Sequence, residues 1–134
     1  MLYLTRLKYY KLLKRLLYLK KMITIYHNPR CGKSRECLAF LETSNQIYQV
    51  VKYLDRPLNF MELSDLIEKL KITPLELIRT KEAVWVENYK KKNLSDKEII
   101  QSMVDYPILM ERPIAVNDEK AVIVRPLNRI EEIL

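Results

Sequence analysis

The chain has 134 residues, about half of them hydrophobic and only one a glycine. That suits one folded domain and excludes a disordered or linker-like protein. Two cysteines, Cys31 and Cys37, exclude a disulfide-stapled secreted scaffold, and with a single histidine they are poor material for a closed four-ligand zinc site. The net charge of +7 is confined to one end: Arg6, Lys8, Lys11, Lys14, Arg15, Lys20 and Lys21 stand without an acid in residues 1–21. Taking these seven from the 24 basic residues leaves residues 22–134 with 17, matching the 17 acids. By bulk charge that body is no binder of nucleic acid.

Residues 1–21 are basic, aromatic and leucine-rich, with an imperfect amphipathic pattern. Charges interrupt them too often for a membrane span, and a clean apolar stretch with a small-residue cleavage site is missing. Three readings are open: a disordered or loosely docked extension, a weak contact with an anionic membrane surface or partner, or a segment outside the natural product, which would then begin at Met22.

Residues 22–26 (MITIY) predict a central strand, residues 27–30 a loop, and residues 32–43 a helix with Cys37, Leu38 and Leu41 toward a sheet. A second strand is expected over residues 47–53, completing a right-handed βαβ unit. Asn59 with Glu62, and Ser95 with Glu98, are capping boxes that open helices to about Leu70 and about Met103. Thr73, Pro74 and Glu76 predict a third helix start. Residues 83–92 are expected to be partly helical, with Trp85 and Tyr89 packing four apart. Lys90, Lys91 and Lys92 read as a solvated face. Pro107 ends this block. Residues 114–116 and 121–124 predict a hairpin around residues 117–120, and residues 127–134 a last short helix.

The run His27-Asn28-Pro29-Arg30-Cys31-Gly32-Lys33-Ser34-Arg35, followed by Arg79, Arg112 and Arg125, resembles the glutaredoxin-dependent arsenate reductase family over residues 22–134. The resemblance implies an α/β, thioredoxin-like fold: a four-stranded mixed sheet with a helical insert at residues 59–105, preceded by a basic extension at residues 1–21. It implies a cytoplasmic monomer that reduces arsenate to arsenite, with Cys31, Arg79, Arg112 and Arg125 catalytic. His27, Gly32, Ser34 and Arg35 would activate the thiolate or bind the anion, and Pro113 would be the cis-proline beside the cysteine. No bound cofactor or metal is implied; glutathione would be the co-substrate and glutaredoxin the partner. The family members differ in continuing beyond the position of Leu134 and in lacking anything like residues 1–21. The same fold includes thiol reductases without a settled substrate, and regulators that bind RNA polymerase. The regulators carry a second cysteine where this chain has Ser34.

The chemistry of the loop can also be read from its residues. Cys31 lies between a strand and a helix start, whose free N–H groups favour an anion. Arg30, Lys33 and Arg35 add positive charge, so the thiol is expected to titrate below ordinary cysteine. His27 stands four residues earlier and is placed to give Cys31 a hydrogen bond or charge. Amides at a helix start and arginine forks also suit a tetrahedral oxyanion. Cys37 reads as a buried hydrophobe, badly placed to resolve a disulfide with Cys31, which is consistent with an external reductant.

Overall fold

Residues 2–134 are described by a computed structural model, with side chains described for residues 5–17 and 22–134. Alternation of apolar residues along ITIYH builds β1 (Ile23–His27), whose residues 23, 25 and 27 are buried. The α2 helix (Gly32–Thr43), which follows α1 (Leu2–Lys21), carries the chain across to β2 (Tyr48–Lys52). A helical crossover returns a strand in the same direction, and β1 and β2 pair in parallel from Ile23–Tyr48 to His27–Lys52. This ladder places β1 one residue later than the sequence predicts, because the backbone of His27 still pairs.

The other half of the sheet is antiparallel. After the helices α3 (Phe60–Leu70), α4 (Ala83–Asn88) and α5 (Asp96–Asp105), β3 (Ile114–Val116) pairs with β1, and β4 (Ala121–Ile123) pairs with β3. The strand order is β2-β1-β3-β4, so the α/β class and the four-stranded mixed, thioredoxin-like sheet are as expected. Asn117 closes the β3–β4 turn, its Oδ1 accepting from the N–H groups of Glu119 at 2.9 Å and Lys120 at 2.7 Å.

Successive strand residues point to opposite faces, which divides the core in two. Ile23, Ile25 and Ala115 face Cys37 and Leu41 of α2 and Ile130 and Ile133 near the C-terminus. Ile114 faces the helical side with Tyr53, Leu63, Leu66, Trp85, Ile100 and Met103.

Both capping boxes form. Asn59 Oδ1 accepts from Glu62 N–H at 2.8 Å and Ser95 Oγ accepts from Glu98 N–H at 3.2 Å, with each glutamate accepting in return. The third start differs: Pro74–Leu77 makes one turn of 3-10 helix and stops. The backbone straightens there because it is claimed from outside. Ile78 bridges Met110, Glu111 N–H donates to Leu77 O at 2.8 Å, and Arg79 N–H donates to Leu109 O at 2.7 Å. Two other pieces are tighter than expected, an unforeseen 3-10 turn at Pro107–Leu109 and a 3-10 helix at Leu127–Ile133.

The N-terminal α1 is helical through 20 residues, and all its described side chains, residues 5–17, are exposed. Among the described residues no helix is long and apolar enough to cross a membrane.

Candidate functional site

The site begins where β1 ends. Ser34, fully buried one turn into α2, gathers the preceding loop: its Oγ lies 2.6 Å from His27 Nδ1 and accepts from Asn28 N–H at 2.9 Å. Asn28 in turn accepts from Arg30 N–H at 3.0 Å through Oδ1 and from Cys31 N–H at 3.0 Å through its carbonyl. These bonds set Cys31 at the N-cap of α2 in extended conformation, its own side chain making no capping bond. The thiol is free to act while the helix start points at it.

Burial by itself would raise the pKa of Cys31, which is 7% exposed. The Ser34 N–H, the Arg125 side chain, the Arg112 charge and the Lys33 N–H together outweigh that and bring it below the usual thiol value. Arg125 makes the direct contact, Nη2 lying 3.4 Å from Sγ, and it is steadied by a 2.8 Å bond from its Nε to Arg112 O. Cys37 is the opposite case. It is fully buried against the sheet, and burial, helped by Glu36, pushes it up to about 11.

His27 is buried at the end of β1. Its Nδ1 is engaged with Ser34 rather than Cys31. Burial and the nearby positive charges of Lys52 and Arg35 hold its pKa below the usual value, against the opposing effect of Ser34. A neutral imidazole at neutral pH brings no charge to the thiolate; it holds the loop.

Arg79, Arg112 and Arg125 meet in one cleft of about 330 Å³, with Ile78, Thr80, Lys81, Glu82 and Glu111 completing its walls. Their situations differ. Arg79 is delivered by the Ile78–Met110 bridge, pairs with Glu82 at 2.6 Å and donates to Ile108 O at 3.2 Å. Arg112 has its Nε buried without a partner among the described residues. Arg112 and Arg125 each precede a proline in a cis peptide bond, Pro113 and Pro126. Arg35, exposed, donates to Pro29 O at 3.0 Å. A Cβ on Gly32 would meet only the Arg35 guanidinium at 3.7 Å, so the space over the helix start is open.

Two residues at the site carried no individual signal in the sequence. Asn28 lies inside the cysteine motif yet acts through backbone and turn geometry. Tyr53 follows β2 by one residue and is read from sequence only as a strand end. Among the described residues no three His, Cys, Asp or Glu side chains cluster to hold a metal.

A thioredoxin-like sheet with an N-cap cysteine held by an arginine defines the thiol-redox class of proteins. The chain belongs to the ArsC family, whose match covers residues 26–133. It is 45% identical to the uncharacterized protein YfgD of Escherichia coli, over 85% of this chain and 98% of that protein. It is 40% identical to an arsenate reductase of Neisseria meningitidis, over 84% of this chain and 97% of the relative. Among solved structures, the arsenate reductase from Vibrio cholerae superposes with a TM-score of 0.80 at 39% identity, covering 85% of this chain and 98% of that one.

Proposed function

We propose that the protein reduces arsenate to arsenite through a covalent adduct on Cys31. The Cys31 thiolate attacks As(V), and an arsenate oxygen leaves as water once protonated. Glutathione then attacks the adduct. Two electrons pass to arsenic from two thiols, which end as one disulfide, and glutaredoxin returns that disulfide to thiols. Arg125 and Arg112 offset the negative charge that a thiolate meets on approaching an anion, and Arg79 extends the positive wall. Ser34 and Lys33 N–H groups, with Gly32 leaving room above them, form the floor. Arg35 and His27 shape the loop.

The observation that carries this reading is the 3.4 Å approach to Cys31 of Arg125, which also lines a cleft with Arg79 and Arg112. A thiol meant only for exchange with neutral disulfides has no need of three cations. The test is arsenate-dependent consumption of reducing equivalents with glutathione and glutaredoxin. Cys31→Ser should abolish it and Cys37→Ser should leave most of it. Wild-type protein without arsenate turnover sinks the proposal.

A second reading has its own support. The cleft of about 330 Å³ is several times larger than one tetrahedral anion, which suits a thiol reductase acting on a glutathionylated substrate. Deglutathionylation without arsenate turnover would favour it.

A further inference from the structure

Tyr53 directly follows β2 and lies level with the loop that carries Cys31, since the last ladder pair is His27–Lys52. Its ring is 1% exposed and packs with Leu58, Leu63, Met103 and Met110 on the helical side of the sheet. That environment would suit phenylalanine. The hydroxyl is nevertheless there, buried; the Asn28 side chain approaches its oxygen as a donor, and no described residue accepts its proton. An unpaired buried hydroxyl lowers stability, so its presence needs a reason.

The His27–Lys52 pair places Tyr53 beside the cysteine loop, and groups of that site act on its hydroxyl. Besides burial they are Asn28, as a hydrogen-bond donor toward the phenol oxygen, and the charges of Arg112, Arg79 and Cys31. A second unpaired buried atom stands in the same set, Nε of Arg112. Arginine nitrogens only donate, and a phenol whose pKa is raised by burial stays protonated and donates too. Two buried donors therefore lack an acceptor next to a cysteine that the helix start and Arg125 prepare for an anion. A tetrahedral oxyanion supplies acceptors on every side.

We propose that Tyr53 is a ligand of the oxyanion site, its hydroxyl donating a hydrogen bond to an oxygen of the tetrahedral anion held at Cys31. This rests on the reading of Cys31 as the point of arsenate attack. Tyr53 contributes to binding the anion and to holding it for attack, and leaves the thiol itself unchanged.

The experiment compares wild-type full chain with Tyr53→Phe, measuring how inorganic phosphate and arsenate protect Cys31 from iodoacetamide. The anion concentration for half-protection should rise about tenfold to a hundredfold in Y53F, the usual loss for a hydrogen bond to a charged group. Labelling of Cys31 without anion should keep its rate and pH profile. The melting temperature should hold, because the hydroxyl removed has no acceptor for its proton. Placing 3-fluorotyrosine at position 53, a more acidic donor of nearly the same size, should shift half-protection the other way; this arm needs no loss-of-function variant. Unchanged half-protection in both variants, with wild type protected, overturns the role of Tyr53 and leaves the function standing. Wild type that neither anion protects overturns both.

Discussion

Arg125 and Arg112 stand opposite each other across the open end of the β3–β4 hairpin: Arg125 Nε donates to the Arg112 carbonyl at 2.8 Å while its Nη2 reaches Cys31 at 3.4 Å. One guanidinium thus ties the cysteine loop to the far side of the sheet. Like charges facing across a ladder disfavour the fold slightly. Glu82 and Glu111 line the same cleft and offset part of that charge.

Removing that guanidinium should raise the Cys31 pKa. In Arg125→Ala the pH profile of iodoacetamide labelling at Cys31 should move to higher pH, because the bond that favours the thiolate is lost. Arsenate turnover should fall by roughly 10²-fold or more if Arg125 also offsets transition-state charge. An unmoved profile would show that the helix start alone sets the thiol.

The two thiols should separate cleanly. At pH 8, peptide mapping after brief labelling should find Cys31 modified and Cys37 untouched, since Cys37 is buried and titrates at about 11. The same shift makes stability pH-dependent. Cys37 holds its proton in the folded state above the pH at which the unfolded thiol, near 9.0, has lost it. Its contribution is full below that value and is lost as pH rises toward 11, by up to roughly 1.4 kcal/mol per pH unit. Urea unfolding of wild type and Cys37→Ala between pH 8.5 and 10.5 should show a shallower decline in the variant.

Ser34 should matter to stability as well as to the site. Ser34→Ala deprives His27 Nδ1 and the Asn28 N–H of their shared buried partner. A cost of about 1–3 kcal/mol is expected in denaturant unfolding, with slower Cys31 labelling near neutral pH as the loop loosens.

Deleting residues 1–21 should leave the melting temperature and Cys31 labelling of the remaining chain unchanged, because every described side chain of residues 5–17 is exposed. A melting temperature lowered by several degrees would show that α1 packs on the sheet. If the segment serves an anionic surface, salt-sensitive binding to phosphatidylserine vesicles should disappear with it.

Much of this was legible in the sequence, for local reasons. The MITIY run, the polar loop and the apolar positions of α2 define a βαβ unit by periodicity. Asn59 with Glu62 and Ser95 with Glu98 announce their helices through bonds three residues apart. What could not be read depends on groups distant in the chain. Pro74–Leu77 has the residues of a helix start, yet Leu109, Met110 and Glu111 capture the backbone after one turn. His27 looks suited to Cys31 by spacing alone; Ser34 takes its Nδ1 because the first turn of α2 folds back on the end of β1. Tyr53 gave no signal, since a tyrosine just after a strand is ordinary until its buried hydroxyl is found without an acceptor.

The hairpin also sets where this protein can change length. Arg112 and Arg125 flank its open mouth, with Val124 N–H bonded to Pro113 O at 2.9 Å just inside, while residues 117–120 close the far end. Insertions after Asn117, whose side chain closes the turn and donates to Ile133 O at 2.9 Å, leave the mouth in register. A single residue added between Ile123 and Arg125 turns one guanidinium to the other face of the sheet and away from Cys31. The two strands act as a gauge that fixes the spacing of the charges from one end only.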